Sequence, residues 1–185
     1  MVGEIRDLET AEMAIRASLT GHLVLSTIHT NSAAATITRL LDMGVEDYLL
    51  ASSLKGVLAQ RLVRTLCPSC ATPESPSAIE TERLRRLAGP AYATAPIAVR
   101  RSHGCSHCQG TGFRGRTAIY ELLTVTPDVR DTIANGAQDV RIETAAISNG
   151  MTTLLQNGMA KVLSGETTMS EVLRVTRAVD ATLPL

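Results

Sequence analysis

The chain has 185 residues, with 18 Lys and Arg against 18 Asp and Glu, so its formal net charge is zero. Hydrophobic residues make up 44% and charged ones 19%, enough apolar material for one ordinary domain or two small ones and too much for a wholly disordered chain. Zero net charge also excludes a globally basic nucleic-acid binder.

At the N-terminus, Met1-Val2 reads as the tail of a strand running into Gly3-Glu4-Ile5-Arg6-Asp7, so the chain reads as a fragment. Asp7 caps a predicted helix over Leu8–Leu19, which Gly21 stops. The apolar run His22–Ile28 predicts a buried strand, and His29-Thr30-Asn31-Ser32 a polar loop whose Ser32 caps a second helix ending near Met43-Gly44. Strand, helix, strand, helix is the order of an α/β layer with a parallel sheet. A third helix is predicted from Asp47 to Gln60.

Beyond Arg61 the character changes. Pro73, Pro76, Pro90 and Pro96 interrupt the chain around a short basic helix at Ala78–Leu87. Residues 61–116 hold nine Arg and three Glu, a local excess of +6. A strand is predicted over Thr117–Leu123, then helices over Pro127–Ala134, Val140–Ser148, Met151–Ser164 and Met169–Ala178, with Gly150 and Gly165 as separators. The longest stretch without charge, Ala17–Thr38, is studded with His, Asn, Ser and Thr and does not suit a bilayer. The opening residues do not read as a secretory signal. A cytoplasmic location is the expectation.

Cys67-Pro-Ser-Cys70 and Cys105-Ser-His-Cys108 are two Cys-x-x-Cys hooks 34 residues apart. Two hooks supply the four thiolates of a tetrahedral structural zinc, and Gly104 and Gly110 give the turns the freedom such knuckles need. A redox pair or buried free thiols are the alternatives. His103 and His107 could substitute as ligands, but four places are filled without them. Glu4 at a strand end is a candidate for holding Mg²⁺ or orienting a water, against the plainer reading of a solvated carboxylate. His22, His29 and Arg6 carry little signal singly.

Taken together these stretches are specific. Gly3-Glu4-Ile5-Arg6-Asp7-x-Glu9-Thr10-Ala11, Thr20-Gly21-His22-x-Val24-Leu25-Ser26-Thr27-x-His29-Thr30-Asn31-Ser32-Ala33, Gln60-Arg61-Leu62-Val63-Arg64 leading into Cys67, and the Gly-x-Gly-x-x-Gly-Arg-x-x-x-x-Glu stretch ending at Glu121 span the chain. Their combination resembles the type II secretion and type IV pilus assembly ATPases, the secretion-system E or PulE-type family. The second hook, Cys-x-x-Cys-x-Gly-x-Gly, is also similar to the zinc repeat of DnaJ-type co-chaperones, of which there is one full copy.

The family resemblance implies the C-terminal part of a RecA-like P-loop ATPase domain, with a tetracysteine insert and a C-terminal helical subdomain. It divides the chain into an ATPase-core part at 1–62, a zinc module at 63–116 and a strand with helices at 117–185. Gly3-Glu4 corresponds to the Walker B end, with Glu4 polarising the hydrolytic water. Arg6 matches the arginine that follows, His22 and His29 the His box near the γ-phosphate, and Gln60 and Arg61 a segment returning toward the nucleotide. The implied cofactors are ATP, Mg²⁺ and Zn²⁺, and the implied assembly is a homo-hexamer beneath inner-membrane platform proteins. The zinc module marks the secretion and pilus-extension branches rather than the retraction motors.

No Gly-x-x-x-x-Gly-Lys-[Ser/Thr] occurs, and the two lysines, Lys55 and Lys161, lack a glycine-rich setting. A fragment without that loop is expected to be inactive alone. The alternative is a free-standing zinc-ribbon module binding nucleic acid or a protein, for which Tyr92 and Phe113 are the only aromatics in the basic stretch.

Overall fold

The computed structural model describes residues 1–136 and 138–176. It contains eight α-helices and four strands among them: α1 Leu8–Leu19, α2 Ala33–Asp42, α3 Asp47–Ser53, β1 Gly56–Leu66, β2 Ala71–Glu74, α4 Ala78–Ala88, β3 Val99–Ser102, β4 Phe113–Thr124, α5 Pro127–Ala134, α6 Asp139–Ser148, α7 Leu154–Leu163 and α8 Met169–Thr176. The last two residues of the helix predicted to reach Ala178 lie outside the described residues. No described helix is long and apolar enough to cross a membrane.

The chain divides into two compact units. Among the described residues, the first comprises Met1–Ala59 and Glu121–Thr152, the second Gln60–Tyr120 and Thr153–Thr176. In the first unit α3 packs on α1 and α5, and α6 on α2 and α5. Its core is Ile15, Ile37, Leu50, Leu123, Val129, Ile133 and Ile142, all buried. Local caps set the helix starts. Asp7 Oδ1 accepts the Thr10 N–H at 2.8 Å, and Ser32 Oγ the Ala35 N–H at 3.1 Å. In the second unit α4 packs on α7 and α7 on α8, around Leu84, Met159 and Val172.

Two expectations are corrected. His22–Ile28 forms no regular strand and is not buried. Its backbone accepts from Val2 and Ile5 at Leu25 and Thr27, 2.9 Å each, while Leu23 and Leu25 are 82% and 60% exposed. A buried parallel strand needs neighbours on both edges and cover on both faces, and this segment has one partial neighbour among the described residues. The assigned sheets are two-stranded: β1 with β4, and β2 antiparallel to β3 with Ala71 opposite Ser102 and Glu74 opposite Val99. The helix predicted from Asp47 to Gln60 ends at Ser53, because Leu54 turns extended and β1 begins at Gly56. Within β1, Ala59 and Val63 are buried, each in its own unit, and pairing with β4 outweighs the helical reading of a short apolar run. β4 runs from Phe113 to Thr124, longer than the predicted Thr117–Leu123.

Candidate functional site

Glu4, Arg6 and His29 meet in the first unit. Glu4 Oε2 lies 2.6 Å from Arg6 Nη2 and its Oε1 lies 3.1 Å from His29 Nε2, so each carboxylate oxygen has its own nitrogen partner. Thr27 brings the two segments together. Its carbonyl accepts the Ile5 N–H at 2.9 Å and its Oγ1 donates to the Gly3 carbonyl at 2.7 Å. The hydrogen bond from Arg6, more than the charge of His29, holds the Glu4 carboxyl below the usual glutamate range. An anion stabilised in this way is a weak proton acceptor, better suited to orienting a water or a hydrated cation than to abstracting a proton. Spare lone pairs on both oxygens leave room for that.

His22 lies elsewhere. Its Nδ1 is 3.2 Å from both the Ala17 carbonyl and Thr20 Oγ1, so it closes the C-terminal turn of α1. Gln60 and Arg61 stand on β1 in the second unit, where Arg61 Nη1 donates to the Gln60 carbonyl at 2.9 Å.

The four cysteines form one cluster in the second unit, with all Sγ atoms within 4.8 Å of one another. Cys67 Sγ is 3.9 Å from Cys105 Sγ, Cys70 is 3.9 Å from Cys108, and Cys105 is 3.8 Å from Cys108. A tetrahedron of thiolates about 2.3 Å from a central ion has edges of about 3.8 Å. The residues therefore fit a closed four-thiolate metal site. Among the described residues no His, Asp or Glu joins it, and His103 bonds instead to Thr72 Oγ1 at 3.3 Å.

The backbone is shaped for this site. Gly104 has φ +82°, and a Cβ there would collide with the Gly110 carbonyl. Burial pushes the Cys70 thiol up to about 11. Burial acts the same way on Cys108, but the N–H groups of Cys105 and Gly112, each 3.2 Å from its sulfur, outweigh it and bring that thiol down to about 6. Four thiolates this close would need a cation to neutralise them.

Two buried carboxylates carry roles that the motifs did not supply. Glu121 accepts the Ala33 N–H at 2.7 Å. Its place between Ile119 and Leu123, both buried, was the available signal, since alternation puts it on the inner face. Glu171 binds Arg64 and Arg174, and only the Arg174 pairing, three residues along α8, was readable locally.

The model of the family described as Type II/IV secretion system protein matches residues 1–174. The chain belongs to this family. Type II secretion system protein E of Pseudomonas aeruginosa is 52% identical over 177 residues, and putative type II secretion system protein E of Escherichia coli K12 is 49% identical over 180. These alignments cover 96% of the chain and 34% and 35% of the relatives, so the chain spans about a third of their length. The type IV pilus assembly ATPase PilB of Myxococcus xanthus is 42% identical over 173 residues, 94% of the chain and 30% of that protein.

Among solved structures, the pilus retraction motor PilT with bound ADP superposes with a TM-score of 0.60 at 24% identity, covering 94% of this chain and 39% of that one. The ATPase DotB of Yersinia pseudotuberculosis does so at 0.61 and 17%, covering 95% and 36%. The family fold is therefore that of these ATPases, here carrying a tetracysteine cluster.

Proposed function

We propose that this chain forms the C-terminal part of an ATP-hydrolysing motor that powers type II secretion or type IV pilus assembly. The observation that carries the reading is the Glu4–Arg6–His29 cluster, in a chain that matches the family over residues 1–174. Glu4 orients the attacking water, Arg6 holds Glu4 as an anion, His22 and His29 answer to the γ-phosphate region, and Gln60 and Arg61 belong to a segment that returns toward nucleotide. ATP with Mg²⁺ supplies the phosphoryl group and neutralises its charge. Catalysis of this kind rests on positioning and electrostatic stabilisation, which a pre-formed ionic cluster provides.

The cysteine cluster holds Zn²⁺ as a structural ion in the module at 63–116, between the core part at 1–62 and the strand with helices at 117–185. A homo-hexamer at the cytoplasmic face of the inner membrane, docked on platform proteins, is the working assembly. Nucleic-acid binding by the basic stretch has little support, because Arg64 is paired to Glu171 and Arg101 to Glu74 and Glu80.

The test is ATP turnover by the longer protein that contains this segment. Glu4→Gln should lower kcat by about a hundredfold or more, and the purified 185 residues alone should show no turnover. Full activity in the Glu4→Gln protein refutes the reading.

A further inference from the structure

Glu121 is 3% exposed on β4, and its Oε1 takes the backbone N–H of Ala33. Ala33 is the first residue of α2, where N–H groups lack partners within the helix and the helix dipole favours a negative charge. His29 lies four residues upstream. It is 91% exposed at its side chain, so packing does not hold it, and its position depends on how the loop is anchored. One anchor is Thr27, tied to Gly3 and Ile5. Thr30 Oγ1 braces the middle, bonding to the Ser32 carbonyl at 3.2 Å and Thr36 Oγ1 at 2.7 Å. The other anchor is Glu121, 88 residues along the chain from Ala33.

We infer that Glu121 is a positioning residue for the hydrolytic cluster: through the first amide of α2 it fixes the loop that sets His29 Nε2 against Glu4 Oε1. The inference rests on the catalytic reading of Glu4 and His29 given above. It needs the carboxyl oxygen as an acceptor, which Gln also offers and Ala does not.

The first measurement is NMR on the 185-residue chain. Glu121→Ala should speed exchange of the Ala33 amide by about tenfold or more and abolish the contact between the His29 ring protons and the Glu4 side chain. Glu121→Gln should keep both. If Glu121→Ala does not fold, Ala33→Pro removes the donor at a helix position that tolerates proline, and the His29–Glu4 contact should again be lost. A contact that persists in either folded variant overturns the inference.

The second measurement is turnover by the longer protein. Glu121→Ala should lower kcat by about tenfold at unchanged KM for ATP, with Glu121→Gln within about threefold of wild type. A raised KM at unchanged kcat overturns the role. Glu4→Gln runs in parallel: full turnover there refutes the catalytic reading itself, whereas loss there with intact Glu121→Ala turnover refutes the role of Glu121 alone.

Discussion

A carboxylate withdrawn from water stays charged only where donors replace the water, and Glu171 is surrounded by them. Its side chain is 4% exposed and receives Arg64 Nη2 at 2.5 Å, the Arg64 N–H at 3.3 Å, and Arg174 Nε and Nη2 at 3.3 and 3.1 Å. Arg64, above all, brings the Glu171 pKa down to about 2 from an ordinary 4.5. Because the folded value lies below the unfolded one, this stabilisation is complete above the ordinary glutamate range and is lost as pH falls toward about 2. Urea unfolding midpoints should therefore drop between these limits in wild type and less steeply in Glu171→Gln. With both arginines half exposed, Glu171→Ala should cost about 2 kcal/mol at neutral pH, read from the same curves. The caps at Asp7 and Ser32 were legible because each acts on an amide three residues away. The Arg64–Glu171 pair was not, since its partners lie 107 residues apart.

At the scale of elements, helices with a local stop and start were read closely: α1, α4 and α5 begin where their capping residues stand. The misreadings, α3 and His22–Ile28, fall on short apolar runs, where periodicity does not separate helix from strand. Close packing of α7 on α8 depends on Gly158, since a Cβ there would run into Val172. Gly158→Ala should cost about 1–3 kcal/mol, seen as a lower thermal midpoint. The β2–β3 ribbon has four residues in each strand, too few to persist unaided. If the cysteines hold the zinc proposed above, a chelator, or Cys105→Ser, should release about one ion per chain and deprotect amides in 67–74 and 99–112 while leaving α5 and α6 protected. Unchanged protection across the ribbon would refute a structural ion.

Over the whole molecule, each unit closes its own core, yet the first leaves Leu23 and Leu25 exposed on a segment with no regular structure. Leu23→Ser should change the stability of this chain by less than about 0.5 kcal/mol, and a larger loss in a denaturation curve would show that the segment is packed. The sequence by itself determined the helix caps at Asp7 and Ser32, the pairing of two cysteine hooks and the family, because each depends on residue identity at short or repeated spacing. Only the tertiary structure decided that Glu4 takes His29 and Arg6 but not His22, that Glu121 closes the start of α2, and that Glu171 answers Arg64. Apart from Arg6, two residues from Glu4, these partners lie far apart along the chain, and a group such as Glu171 or Glu121 finds its partner through the packing of whole elements rather than through its neighbours in sequence.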